Sequence, residues 1–159
     1  NFWFQNANIY ACSQSHIKAN TTKDSTPILV LEDDVSFCPN FYPKLVTLFK
    51  VIPNDWDILY LGFTPIPLHS QFSKISQSVF KLHSGCMGAW AYIIRLTAKQ
   101  QFINKLQKMP ADTALSELQP YFNAYCPSNF LCTVNTDYSD TSNRIVSFGE
   151  INKYYSHET

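Results

Sequence analysis

The stretch Ile28-Leu29-Val30-Leu31-Glu32-Asp33-Asp34-Val35 runs four apolar residues into three consecutive carboxylates and then returns to an apolar residue. Unbroken Ile, Leu and Val predict a short strand covered on both faces, as in a parallel or mixed sheet flanked by helices. Sheets of this kind place ligands outside the carboxyl ends of their strands. Three adjacent acids repel one another, and hard divalent cations prefer clustered carboxylate oxygens, so a metal-dependent site at the strand end is the first expectation. The competing reading is a solvated acidic turn behind a core strand.

The rest of the chain bounds that expectation. Its 159 residues, 45% hydrophobic and 15% aromatic, suffice for one domain spanning residues 1–159 with a substantial core. Twelve basic and twelve acidic residues cancel and form no Lys/Arg cluster, which argues against nucleic acid as a partner. No apolar run is long enough to cross a membrane. Five cysteines, Cys12, Cys38, Cys86, Cys126 and Cys132, lack any Cys-x-x-Cys spacing. The odd count favours reduced thiols, with one disulfide left open. Asn20-Thr21-Thr22 matches a glycosylation acceptor by pattern alone.

Periodicity predicts a helix from Trp3 to Asn20 and a second around Tyr42–Ile52, with Leu45, Val46, Leu48, Phe49 and Ile52 on its buried side. Strands are expected at Asp57–Leu61, Val79–Leu82 and Ala89–Ile94, and the proline- and serine-bearing segment Thr64–Ser78 reads as a long surface loop. Thr97 with Gln100 suggests a capping box for a helix carrying Phe102, Ile103, Leu106 and Met109. Asp112 is expected to cap the short helix that Pro120 limits.

The acidic run does not stand alone. Ala11-Cys12-Ser13-Gln14-Ser15-His16 precedes it and Trp56-Asp57-Ile58-Leu59-Tyr60-Leu61-Gly62 follows. Gly88-Ala89-Trp90-Ala91-Tyr92-Ile93-Ile94, Pro110-Ala111-Asp112 and Ser139-Asp140 come after them. In this order and spacing the set resembles family-25 glycosyltransferases, which include lipooligosaccharide and procollagen galactosyltransferases, over about residues 7 to 146. The resemblance implies a glycosyltransferase A-like, Rossmann-like α/β domain with a mixed sheet flanked by helices. Members of that family begin with a strand and helix that help hold the nucleotide. Residue 1 here is Asn, and the expectation is a fragment lacking that first strand.

What the resemblance implies chemically is a metal-dependent transfer of a hexose, galactose first, from a UDP-sugar to a glycan or hydroxylysine acceptor with inversion. Asp34 and Glu32 are the expected metal ligands and Mn²⁺, or Mg²⁺, the expected ion. Asp34 then counts as catalytic, and Asp112 is the expected general base for the acceptor hydroxyl. His16, Glu32, Asp33, Gly88 and Asp140 are expected to contact donor or substrate, and His83 is a weaker candidate. The expected place of action is cytoplasmic or peripheral to a membrane. Two rival readings remain: a catalytically inactive remnant that binds a glycan or a partner, and a metal-dependent phosphoesterase. The second is disfavoured by the absence of a His-rich ligand set.

Overall fold

In the strands at the centre of the chain, apolar side chains alternate between two faces without a polar interruption, so both faces must be covered. Ile58 and Tyr60 enter one core with Tyr92 and Ile94, while Leu59 and Leu61 enter the other with Ala91 and Ile93. The computed structural model, which describes residues 2–21, 25–134, 138–139 and 144–145, shows how each face is covered.

A 3-10 turn, Phe2–Gln5, leads into α1 (Ala7–Asn20), β1 (Ile28–Leu31), β2 (Val35–Phe37) and α2 (Phe41–Val51). Then come β3 (Ile58–Tyr60), β4 (Thr64–Pro65), β5 (Gln71–Ser76), β6 (Val79–Ser84), β7 (Cys86–Met87) and β8 (Ala91–Ile94). Helices α3 (Leu96–Leu106) and α4 (Ala111–Ser116) precede β9 (Ala124–Pro127) and β10 (Cys132–Val134), followed by β11 (Tyr138–Ser139) and β12 (Arg144–Ile145). The main sheet has six strands in the order β1-β8-β3-β9-β6-β5. Only β3 and β9 run parallel; the other neighbours are antiparallel. One face packs against α1, α3 and α4, and the other against α2 with Trp56, Trp90 and Leu131. This is the mixed, helix-flanked α/β sheet that the apolar runs predict.

Several local expectations change. Strand β1 is an edge strand, antiparallel to β8, and it is covered on one face only: Val30 is buried whereas Leu29 and Leu31 are 41% and 38% exposed. The reason is that α2 packs over the sheet centre near Leu59 and Leu61. The predicted loop from Thr64 to Ser78 contains β5, which forms a hairpin with β6 through a two-residue turn. Phe72 anchors it, its ring meeting Phe63 and Phe80 at centroid distances of 5.2 and 5.6 Å. In α2, Val46 and Phe49 are largely exposed, and Leu48 and Ile52 carry the burial.

Two predicted helix starts also move. No capping box forms at Thr97, which lies inside α3; its hydroxyl donates instead to Asp57 Oδ1 at 2.6 Å. Pro110 occupies the N-cap of α4, and Asp112 sits in the first turn with its side chain turned to another partner. The first predicted helix divides at Asn6, whose Oδ1 accepts from Asn8 N and Ile9 N and caps α1.

Phe102 is fully buried, and its ring meets the rings of Tyr92 and His16 at centroid distances of 5.5 and 6.4 Å. Truncating a large buried aromatic leaves a cavity and removes its transfer energy, typically about 3–5 kcal/mol. Phe102→Ala is therefore expected to lower the unfolding free energy by that amount in urea titration. A loss below about 1 kcal/mol would show that α3 does not anchor this core.

Candidate functional site

Helix α1 buries a polar stripe. Its buried residues are Ser13, His16 and Asn20, spaced to lie on one face, and their hydrogen-bonding groups must find partners inside the protein. His16 is 3% exposed and sits on the ring of Tyr92 from β8, with centroids 5.8 Å apart. Its Nδ1 lies 3.1 Å from Tyr92 Oη and its Nε2 lies 3.0 Å from Glu32 Oε1. Asn20 Nδ2 donates to Tyr92 Oη at 2.8 Å and to the carbonyl of His16 at 2.8 Å.

The donors and acceptors give this chain one consistent direction. The Asn20 amide donates to the Tyr92 oxygen, the Tyr92 hydroxyl donates to His16 Nδ1, and His16 Nε2–H donates to the carboxylate of Glu32. Burial raises the Tyr92 hydroxyl well above the usual tyrosine range, opposed by the Asn20 hydrogen bond, so it stays protonated as a donor. Glu32, at the carboxyl end of β1, is thereby held from beneath. Its backbone N–H donates to Trp90 O at 2.8 Å, and after the turn β2 pairs with β10, so the acidic segment is fixed on both sides.

Asp112 is tied to the segment that leads into β8. One oxygen, Oδ1, accepts from the backbone N–H groups of Gly88 at 3.0 Å and Ala89 at 2.8 Å. Burial raises its carboxyl above the ordinary value of 3.8; the Ala89 N–H opposes that rise, the Glu32 charge adds to it, and the Gly88 N–H and His16 oppose it. Gly88 needs its missing side chain here: a Cβ would stand 2.5 Å from Gly62 O and 2.9 Å from the Tyr60 ring. The close approach at Gly88 is therefore to neighbouring protein.

Cys12, one helical turn before His16, reports how closely these acids gather. Burial, then the charges of Glu32, Asp112 and Asp34, push its thiol up to about 12. A thiol held that high is a poor nucleophile at neutral pH. Three carboxylates on one thiol mark a pocket of concentrated negative charge, the setting in which a divalent cation is stabilised. Cys12, His16 and Glu32 also lie close enough to share an ion, with ligand atoms within 4.8 Å of one another.

Of the residues singled out from the sequence, His16 meets Glu32 and Asp112 meets Gly88, with Glu32 and His16 acting electrostatically on Asp112; Asp34, exposed in the acidic turn, acts on the Cys12 thiol. Asp33 lies exposed in the same turn. Asp140 lies outside the described residues. His83 does not join: it sits on β6, four strands from β1, with Nε2 2.9 Å from Ser73 Oγ. Trp56 is core, 4% exposed, with the Arg95 guanidinium 4.1 Å above its ring. Asn20 is 1% exposed with its amide nitrogen engaged, so the pattern at Asn20-Thr21-Thr22 does not present an accessible acceptor. All five cysteines are free thiols. Sequence reasoning missed Cys12, Asn20 and the part played by Tyr92. The signal was the i, i+4, i+8 spacing of Cys12, His16 and Asn20 on one helix face. A separate depression of about 360 Å³ between α2 and the β9–β10 connection, lined by Pro43, Lys44, Val51, Pro127 and Leu131, shares no residue with this cluster.

Among the described residues no helix is long and apolar enough to cross a membrane. Comparison with known proteins matches residues 8–116 to the family model described as glycosyltransferase family 25 (LPS biosynthesis protein). The chain is also 33% identical over 88 residues to a procollagen lysyl hydroxylase and glycosyltransferase of Acanthamoeba polyphaga mimivirus. That match covers 55% of this chain and 10% of the relative, so the chain spans only a small part of that protein's length. The family match takes in β1, the acidic turn, His16, Gly88 and Asp112 together. The chain belongs to glycosyltransferase family 25.

Proposed function

We propose that this glycosyltransferase moves a hexose, galactose first, from a UDP-sugar to a glycan or hydroxylysine hydroxyl with inversion, using a divalent cation held by Asp34 and Glu32. The observation that carries the proposal is that Glu32 and Asp34, at the carboxyl end of β1, and Asp112 all act on the Cys12 thiol, beside the Glu32–His16 pair held at 3.0 Å. The donor chemistry fits the ion: carboxylate oxygens are hard ligands, the kind that Mn²⁺ and Mg²⁺ take together with phosphate oxygens. When bound, the cation supplies Lewis-acid neutralisation of the departing diphosphate.

The protein's own groups do the rest. His16 orients Glu32 through Nε2 and is itself fixed by Tyr92 and Asn20. Asp33, exposed in the same turn, would meet the ribose of the donor. Gly88 and Ala89 are tied by their N–H groups to Asp112, which fixes the wall on which the donor sugar would rest. Asp112 accepts both amide bonds on Oδ1, and its carboxylate takes the proton from the acceptor hydroxyl as that oxygen attacks. Its raised pKa suits a base that must bind a proton readily. Asp140, from the Ser-Asp pair near the end of the chain, is proposed as a further substrate contact. LPS biosynthesis, named in the family description, is the setting proposed for the reaction.

Titration with UDP in the presence and absence of Mn²⁺ tests the reading. Metal-dependent binding is expected; UDP affinity that ignores the metal would sink it. Asp34→Ala should leave the circular dichroism spectrum unchanged while metal-dependent affinity drops by more than about tenfold, since even outer-shell partners of a metal cost that much. Binding of Mn²⁺ and UDP at the parental level would remove Asp34 from the ligand set.

Asp112→Asn separates chemistry from scaffolding. The amide oxygen can still accept from Gly88 and Ala89, so stability should change little, whereas losing the base should cost turnover about 10²–10⁴-fold. Asp112→Ala orphans two backbone donors as well and should lose about 1–3 kcal/mol of stability. The parental rate should also fall as the pH drops through a limb above 3.8, because the base must be ionised and its pKa is raised. Near-parental turnover by Asp112→Asn would leave Asp112 a purely structural clasp.

A further inference from the structure

Cys12 and His16 stand four residues apart on α1, so thiol and imidazole share one face of the helix and point at the same turn. Cys12 Sγ, a His16 ring nitrogen and a Glu32 carboxylate oxygen lie within 4.8 Å of one another. His16 Nε2 and Glu32 Oε1 are 3.0 Å apart, near the separation of about 3.3 Å that two ligands take around tetrahedral zinc at its usual bond lengths. An approach of roughly 1 Å by the thiol completes a three-ligand set.

We propose that Cys12, His16 and Glu32 form a binding site for a thiol-seeking divalent cation, Zn²⁺, with the fourth position open. The ligand types decide the metal. Thiolate and imidazole select zinc, whereas the oxygens of the acidic turn suit Mn²⁺ or Mg²⁺. The site goes beyond the transferase reading and does not rest on it, because its three ligands come from geometry alone. Tyr92 completes the arrangement. Binding at Nε2 moves the imidazole proton to Nδ1, so the 3.1 Å hydrogen bond to Tyr92 reverses and Nδ1–H donates to Tyr92 Oη, holding the ring in register. Cys12 releases its thiol proton to solvent as the metal–sulfur bond forms. Glu32 belongs to both sets, so zinc in this site withdraws it from the hard-cation set.

Titration of the 159-residue chain with Co²⁺, a spectroscopic substitute for zinc, tests the site without any assay of transfer. A near-ultraviolet thiolate-to-cobalt charge-transfer band is expected, erased by equimolar Zn²⁺. Cys12→Ser should abolish the band and weaken Zn²⁺ binding at least tenfold in competition with a chromophoric chelator. Glu32→Gln, which keeps an acceptor for His16, should weaken Zn²⁺ binding to a similar degree and serves if Cys12→Ser fails to fold. Asp34→Asn should keep the band, which separates this site from the acidic turn's own metal binding. Absence of the band in the parent, its persistence in Cys12→Ser, unchanged zinc affinity in Glu32→Gln, or its loss in Asp34→Asn would each overturn the assignment.

Discussion

His16 lies buried between α1 and β8, and its two ring nitrogens join the hydroxyl of Tyr92 to the carboxylate of Glu32 at 3.1 and 3.0 Å; the position of the acidic turn depends on that link. A carboxylate at the end of an edge strand would otherwise relax into solvent, away from its two acidic neighbours. The imidazole prevents this because it cannot move: Tyr92 and Asn20 hold it by hydrogen bonds and Phe102 packs against its edge. Breaking the chain at any member leaves buried donors or acceptors unpaired, each costing about 1–3 kcal/mol, which is why such networks behave as units.

The same economy holds at Asp112. Asp112 spends one oxygen on two backbone amides, and those amides belong to the segment that passes over Gly62 and Tyr60 with no room for a side chain at Gly88. The clasp therefore fixes the start of β8, the strand that also carries Tyr92 and pairs with β1. Glu32 and Asp112 are thus both tied to β8 and the residues that lead into it. Displacing β8 would shift Glu32 through Tyr92 and His16, and Asp112 through Ala89, at the same time.

Charge gives the pocket its chemical character. Glu32, Asp34 and Asp112 all bear on the Cys12 thiol, and among the described residues no arginine or lysine is one of the groups that shift Cys12 or Asp112. His16 is the nearby group that opposes the rise at Asp112, and its own hydrogen bonds already commit both ring nitrogens. Negative charge gathered in this way, partly shielded from water, favours cations over any anionic ligand arriving without one.

The sequence by itself determined the sheet, its two apolar faces and the acidic turn, because these are written in local patterns: Ile28–Leu31 runs into Glu32-Asp33-Asp34, and residues 58–61 and 91–94 alternate between the two cores. It also carried the family, through motifs whose order survives without any structure. It misjudged β5 because a polar, serine-rich strand held by one aromatic residue has no strand-like period, and it misjudged Thr97 and Asp112 because a capping pattern competes with longer-range partners. Tertiary structure alone decided that Leu29 and Leu31 would be exposed on an edge strand, that Asp112 would face Gly88 and Ala89 across 24 and 23 residues of chain, and that Cys12, His16 and Glu32 would meet. These depend on how far α2 reaches and on how α1 lies against β8. No window of sequence encodes that placement, since it is set by the packing of elements remote from one another along the chain.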